Sequence, residues 1–311
     1  MGLWRNSYNT DRLTATLQIA QRIYSLAREH NEVAELIGAV AALAITNYYL
    51  GNLEASGQYA IRGVELWRSG GAQSTTEEVD VPGIACLCYL ALLQRHSGDI
   101  TSAQATIEEA ISLETDLNDL HGLAVALNFA AAFACDEHNL VKAERYSSDL
   151  IELSTRHGFA LWMAVGIIYR GWVRSAAGNR FEGIPYIEQG IRDVRATGTL
   201  GVSYHLALKA QALYLADRSS EALAAIKDAE ALADRFEHRV YYPQLRRLRG
   251  VFLTAMGADE AQIEASFCEA IRIANEQKSV LLQNRAGTTY AEYLRQKASG
   301  SGGHGFRLPL W

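Results

Sequence analysis

A short turn recurs along this 311-residue chain at a nearly constant interval, and this regularity limits the possible folds more than any other feature. The turns begin at Gly51, Gly98, His138, Gly178, Asp217 and Gly257, at spacings of 47, 40, 40, 39 and 40 residues. Periods of this size indicate structural units that hide their apolar faces only by stacking on their neighbours. The chain is therefore predicted to be an extended repeat array.

Small residues occupy fixed places around these turns. Seven residues before each turn stand Ala44, Ala91, Ala131, Gly171, Ala210 and Gly250. Five residues after the first five turns stand Ser56, Ala103, Ala143, Gly183 and Ala222. Twelve after them stand Gly63, Ala110, Gly190 and Ala229, with the larger Leu150 in the third unit. Two antiparallel helices that cross closely need small side chains at the crossing. The pattern predicts a helix, a tight turn and a second helix in every unit.

The spacing gives a helix layout. We expect a lone first helix at 11–30, a loop at Ser69–Asp80 that accounts for the longer first spacing, and a last helix at 279–296. Six helix pairs lie between these ends: 33–50 with 53–68, 82–97 with 100–115, 119–137 with 140–157, 160–177 with 181–197, 200–216 with 219–236, and 240–256 with 260–277.

This pattern of offsets resembles the tetratricopeptide repeat (TPR), with a longer period than the 34 residues typical of that family. The resemblance covers roughly residues 10 to 297. It implies an all-α, right-handed α-solenoid of about six helix pairs with extra end helices, formed by residues 1–297. Residues 298–311 are predicted to be a Gly/Ser linker with an apolar tail.

Four blocks carry a closer resemblance, to the C-terminal TPR region of bacterial signalling ATPases and of class III adenylate cyclase fusions. They are 82–87, 158–178, 245–250 and 265–270. The resemblance implies a sensory or partner-binding segment of a larger system. No Gly-x-x-x-x-Gly-Lys-Ser/Thr phosphate loop occurs, so it brings no nucleotide chemistry. The start near Leu3-Trp4 resembles a second helix without its first, as in a piece of a longer chain.

Composition narrows the function classes further. The net charge of -6 and the pI of about 5.8 disfavour nucleic-acid binding. The clearest basic cluster is interpreted either as ordinary ion-paired surface or as a phosphate or acidic-peptide site; its members are Arg239, Arg246, Arg247 and Arg249. No apolar run is long enough to span a membrane and no signal peptide is evident, so we expect a cytoplasmic protein. The cysteines form no CxxC pair; they are predicted to be buried thiols, with no metal or cofactor. They are Cys86, Cys88, Cys135 and Cys268.

The TPR resemblance also implies where a ligand would dock, because the first helix of each pair lines the concave face. The ligand-facing positions map to Tyr48, Tyr49, Arg95, Asn128, Asp136, Trp172, Tyr204, Gln211, Tyr214 and Arg247, with Tyr169 beside them. Aromatic rings with a few polar groups suit recognition of a peptide or a small molecule. Packing between repeats is the alternative for each of these side chains.

The tail is the last feature. A Gly/Ser linker is followed by Phe306, Leu308, Leu310 and Trp311, and a disordered tail rarely ends in such apolar residues. We hypothesise that it docks on its own solenoid or on a neighbour; a tag remnant or disorder is the alternative.

Together these features predict a non-catalytic scaffold that binds a protein or peptide, as a regulatory module of a bacterial signalling system. A sensor that closes on a small-molecule effector is the second hypothesis, and an enzyme on a helical scaffold is the third. The solenoid ends and the tail also offer surfaces through which copies of the chain could form a homo-oligomer.

Overall fold

The computed structural model describes residues 1–10, 12–30, 32–71, 82–197, 201–299 and 306–310. Within them the fold is all-α, with no strand. The α-helices are α1 (Gly2–Thr10), α2 (Leu13–His30), α3 (Val33–Tyr49), α4 (Leu53–Leu66), α5 (Pro82–His96), α6 (Ile100–Leu117), α7 (Leu120–Asp136), α8 (Leu140–His157), α9 (Ala160–Ala176), α10 (Arg180–Thr197), α11 (Val202–Leu215), α12 (Ser219–Phe236), α13 (Tyr242–Ala255), α14 (Glu260–Glu276) and α15 (Val280–Ala298). No helix in these ranges is long and apolar enough to cross a membrane.

The six predicted pairs are α3/α4 through α13/α14, and the predicted first and last helices are α2 and α15. Two segments differ from the prediction. Residues 2–10 form α1, which the prediction omitted because it carries no repeat signal. Its Trp4 is buried, and the Trp4 indole Nε1 donates a hydrogen bond to Thr46 Oγ1 at 3.0 Å. In the segment predicted as a loop, a π-helical turn at Trp67–Gly71 continues α4. Residues 72–81 lie outside the described part of the chain.

All six turn residues adopt the left-handed backbone conformation. The glycines at 51, 98, 178 and 257 have φ between 63° and 105°, while His138 and Asp217 have φ of 55° and 61°. A left-handed residue after a helix lets the next backbone N–H groups bond to the last free carbonyls. The sequence pattern at the turns thus reflects a helix-stop geometry.

The small residues lie where the paired helices touch. A methyl group on Gly183 would come within 2.2 Å of the Gly171 carbonyl oxygen, and one on Gly190 within 2.6 Å of the Ala164 carbonyl oxygen. In the first pair the Ser56 hydroxyl donates a hydrogen bond to the Ala44 carbonyl at 2.7 Å. The backbones approach too closely for larger side chains, so the periodic small residues are a packing requirement.

The array curves until its first and last parts meet. The Glu237 carboxylate, after α12, accepts hydrogen bonds from Thr14 N at 2.9 Å, from Thr14 Oγ1 at 2.6 Å and from Arg12 Nη2 at 3.0 Å. Lys278, which follows α14, pairs with Glu54 of α4 at 2.5 Å. These contacts close the concave side into a central cavity.

Candidate binding cavity

The concave side encloses a cavity of about 650 Å³, which lies within the roughly 300–1,000 Å³ range of small-ligand sites. One column of the repeat lines it, nine residues before each of the first four turns: Ala42, Tyr89, Phe129 and Tyr169. These side chains come from successive first helices, α3, α5, α7 and α9. The stacked repeats therefore place three aromatic rings along one wall.

A second group of tyrosines lines the end of the cavity where the array closes. The Tyr49 ring lies 5.4 Å from that of Tyr48 and 6.0 Å from that of Tyr241, measured between centroids. The Tyr8 ring of α1 lies 5.9 Å from that of Tyr49. Burial raises the pKa of Tyr8 and Tyr241 well above the ordinary value. The hydroxyls stay neutral, so they serve as hydrogen-bonding groups in a mostly apolar wall.

A polar cluster sits midway along the cavity. Arg95 Nη1 donates to Asp136 Oδ2 at 3.2 Å, and the guanidinium lies over the Phe133 ring with its carbon 4.3 Å from the centroid. The Tyr204 hydroxyl donates to Asp136 Oδ1 at 3.1 Å. Beside them the Tyr169 hydroxyl donates to Asn128 Oδ1 at 3.0 Å. The cluster fixes Asp136, which is a quarter exposed to the cavity, between a cation and a phenol.

Three further polar side chains line the cavity around this cluster. Arg285 donates one hydrogen bond, to the Asp136 carbonyl at 3.1 Å. Gln211 is largely buried and lines the wall. Burial lowers the pKa of His205 to about 4, and its Nδ1 is buried without a hydrogen-bond partner within the described residues. The cavity thus offers a neutral imidazole, an amide and a guanidinium to a ligand.

The structure brings most of the sequence-predicted site residues together. The cavity-lining members are Tyr48, Tyr49, Arg95, Asn128, Asp136, Tyr169, Tyr204 and Gln211. Trp172 is elsewhere: it has no exposed surface and packs in the main hydrophobic core, 5.8 Å from the His138 ring. Three residues advance about 300° around a helix, which turns Trp172 about 60° away from Tyr169 and into the core.

Tyr214 and Arg247 do not line the cavity either. Both contact the C-terminal segment 306–310, which lies along α11, α13 and α15. Tyr214 Oη donates to the Leu308 carbonyl at 2.9 Å, and Arg247 Nη2 donates to the Leu310 carbonyl at 2.7 Å. The Phe306 ring stacks on Tyr293 with 5.8 Å between centroids. Trp311 lies outside the described residues.

Sequence reasoning missed several lining residues. Tyr89 and Phe129 could have been predicted from the sequence, because they occupy the same position in the repeat as Tyr169. Tyr8 and Tyr241 belong to α1 and to a 3-10 turn at Arg239–Tyr241, where the repeat gives no register. His205 follows a predicted residue directly, and α11 is buried on most sides, so periodicity could not tell which neighbour faces the cavity.

The predicted basic cluster lies outside the cavity. Arg246 and Arg249 both pair with Glu230, and Arg247 is buried, so this basic cluster is not an open phosphate site.

Cys268 is exposed, which corrects the expectation that all four thiols are buried. It lies on α14, and no described residues group three or more histidine, cysteine or acidic side chains for a metal.

The fold defines an all-α solenoid of the TPR-like class. No family model matches the sequence, and neither does any curated protein. Among solved structures, the chain is similar to Bacillus thuringiensis PlcR in complex with the peptide PapR7 and DNA, with 15% identity and a TM-score of 0.57 over 75% of this chain and 82% of that chain.

Two further solved structures share the fold. The apo form of RapI has 13% identity and a TM-score of 0.59 over 88% of this chain and 95% of RapI. A Rap protein complexed with competence and sporulation factor has 12% identity and a TM-score of 0.58 over 92% of this chain and 79% of that chain. These similarities concern the fold, and they do not support the closer resemblance to signalling ATPases.

Proposed function

We propose that the chain is a non-catalytic binding scaffold that encloses a short peptide segment of a partner in its central cavity. The observation that carries this proposal is the cavity itself, whose wall combines aromatic rings with separated polar groups. Rings such as Tyr89 and Phe129 supply area for apolar side chains, and groups such as Asn128 and Gln211 supply hydrogen bonds for peptide units.

The solved neighbours support a peptide as the ligand. The PlcR structure is a complex with the peptide PapR7 and DNA, and the Rap structure is a complex with competence and sporulation factor. The likeness to these proteins is one of fold, so the peptide ligand of this chain is inferred from its own cavity. Nucleic acid is not part of the proposal, because the cavity is mostly apolar rather than a basic surface.

A small-molecule effector is the second candidate, and the closure of the array favours it. The bonds from Thr14 and Arg12 to Glu237 limit the length of ligand that the cavity can enclose. A compact ligand would touch both ends of the array at once and stabilise the closed form over an open one. Such a ligand would make the chain an effector sensor.

We further propose a regulatory role in bacterial signalling, as the resemblance to the C-terminal region of signalling ATPases implies. Binding in the cavity would change how tightly the first and last helices pack against each other. A partner protein that binds where these helices meet would then bind more or less tightly. The ligand would strengthen or weaken the hydrogen bonds that Glu237 accepts from Thr14 and Arg12.

The test is a cavity-filling substitution with a matched control. Ala132 lines the cavity, whereas Ala105 is exposed on α6. Ala132→Trp and Ala105→Trp add the same volume in the two places. The intact chain and both variants would be incubated with a pool of short synthetic peptides, and separately with a small-molecule collection, and bound species would be read by native mass spectrometry.

We expect the wild type and Ala105→Trp to retain the same species and Ala132→Trp to lose them. Retention of peptides supports the leading proposal, and retention of small molecules alone supports the effector sensor. Undiminished binding by a folded Ala132→Trp chain would contradict both, because the ligand would then lie outside the cavity.

A further inference from the structure

We propose that α11, α13 and α15 form a second peptide-binding groove, separate from the central cavity, and that residues 306–310 occupy it as an intramolecular ligand. The groove selects an extended segment with apolar side chains at alternate positions and an arginine between two of them. The proposal is independent of the ligand of the central cavity.

The alternation is visible in the burial of the segment. Phe306 is half-buried, Leu308 and Leu310 are only 2% and 4% exposed, and Arg307 and Pro309 face solvent. Side chains of an extended chain point alternately to opposite sides. Residues 306, 308 and 310 therefore form one apolar face against the solenoid, as expected for a bound extended peptide.

Two side chains of the groove bind the main chain of the segment. Tyr214 Oη donates to the Leu308 carbonyl at 2.9 Å, and two residues further Arg247 Nη2 donates to the Leu310 carbonyl at 2.7 Å. Main-chain contacts of this kind give affinity that does not depend on sequence, while the side-chain contacts give specificity. The two bonded carbonyls are two residues apart, which is also the spacing of the buried side chains in the segment.

Arg247 gives the strongest evidence that the groove is adapted to bind a peptide main chain. It is 1% exposed, and its hydrogen bonds go to neutral oxygens: Gln244 Oε1 at 3.0 Å, Thr289 Oγ1 at 3.1 Å and the Leu310 carbonyl. No described carboxylate pairs with it. A buried charge is costly unless its donors are satisfied. Without the segment, Nη2 would lose its acceptor, so the groove needs an occupant or water.

Arg307 adds selectivity at the solvent side. Its guanidinium lies over the Tyr214 ring, 4.4 Å from the centroid, and donates to the Tyr214 carbonyl and to Asp217. Tyr214 therefore contacts two successive residues of the segment, through its hydroxyl and through its ring face. An arginine stacked on an aromatic ring and paired with a carboxylate is a specific combination.

The segment belongs to the same chain, so its local concentration at the groove is about millimolar, as for short tethers. The intact chain should hold the groove filled and exclude a second copy of the segment. Leu308→Asp combined with Leu310→Asp would release the segment without altering the groove, because aspartate in either apolar contact is costly. A chain ending at Ser299 would open the groove in a second way.

The experiment measures fluorescence anisotropy of a fluorescein-labelled peptide of residues 306–311. It is titrated with the intact chain, with the Leu308→Asp/Leu310→Asp chain and with the chain ending at Ser299. We expect both opened chains to bind the peptide at least about tenfold more tightly than the intact chain does. Tyr214→Phe in the double-substituted chain should weaken binding by about fivefold through loss of one hydrogen bond.

The control peptide carries the same two aspartates and should not bind. Circular dichroism identifies which opened chain is folded, and either one suffices. A folded opened chain that does not bind the peptide would overturn the proposal. Equal binding to the intact and opened chains would also overturn it, because the peptide would then bind at another place.

Discussion

His96 Nδ1 and Ser279 Oγ are hydrogen-bonded at 2.8 Å, although 183 residues separate them. His96 ends α5, and Ser279 precedes α15, where its hydroxyl also accepts a hydrogen bond from Leu282 N. Burial, and next the charge of Arg95, lower the pKa of His96 to about 3, so the imidazole is neutral in the folded chain. Contacts of this kind, between helices distant in sequence, bring the first and last parts of the solenoid together beside the cavity.

Glu237→Gln should loosen this closure. The Glu237 carboxylate accepts bonds from Thr14 and Arg12, and an amide group cannot accept at both of its heteroatoms. We expect a loss of about 2 kcal/mol of unfolding free energy and faster hydrogen exchange in α2, with little change in α9. Exchange read by mass spectrometry would check this. The exposed Glu221→Gln is the control, and equal exchange in both variants would refute a closing role for Glu237.

Gly158→Ala should destabilise the chain by about 1 kcal/mol, because Gly158 ends α8 with φ of 74° in the left-handed region. A methyl group there would meet no atom within 4 Å, so the cost is backbone strain alone. Gly287, inside α15, is equally free of neighbours. Gly287→Ala should instead stabilise by about 0.5–1 kcal/mol. Urea unfolding compares the two, and changes of the same sign would contradict the assigned conformations.

Gly183→Ala tests the close crossing of α9 and α10. The added methyl group would lie 2.2 Å from the Gly171 carbonyl oxygen, so the helices would have to move apart. We expect a loss of about 1–3 kcal/mol from overpacking. Gly57→Ala in α4 is the control, because its methyl group would make an ordinary 3.7 Å contact with Leu93. Thermal unfolding that ranked the control as the less stable variant would disprove the packing argument.

Glu114→Gln should change how stability depends on pH. Glu114 is fully buried near the end of α6; burial first, and then the charge of Asp119, raises its pKa to about 7. The unfolded carboxyl titrates near 4.5, so between these values the folded state binds the proton more tightly. Stability from this group is therefore present below about pH 4.5 and lost as pH rises through about 7.

The loss on passing to pH 8 is on the order of 3 kcal/mol. The glutamine variant cannot ionise, so its advantage over the wild type in urea unfolding should grow from pH 5 to pH 8. The exposed Asp116→Asn should follow the wild-type profile. A constant difference between Glu114→Gln and wild type over this range would show that Glu114 does not titrate there.

The repeat in the sequence predicted the six central helix pairs to within a few residues, and eight of the residues that the TPR register placed on the concave face line the cavity. Helix pairs form from local information: a residue that accepts a positive φ at the turn, and small residues at the crossing. Because stacked repeats keep their orientation, a column such as Tyr89, Phe129 and Tyr169 must face one side. The shared repeat offset of these three residues is present in the sequence, although only Tyr169 was among the predicted site residues.

The tertiary structure decided what the repeat could not. The curvature sums small rotations between many repeats, so no local pattern reveals that Glu237 meets Thr14 or that α1 supplies Tyr8 to the cavity. A rotation of about 60° around the axis of α9, relative to Tyr169, also placed Trp172 in the core. Sequence thus determined the repeating unit, because its forces act between near neighbours. Three features depend on contacts between residues far apart in the chain, which only the assembled fold defines. They are the meeting of the two ends of the array, the cavity, and the position of residues 306–310.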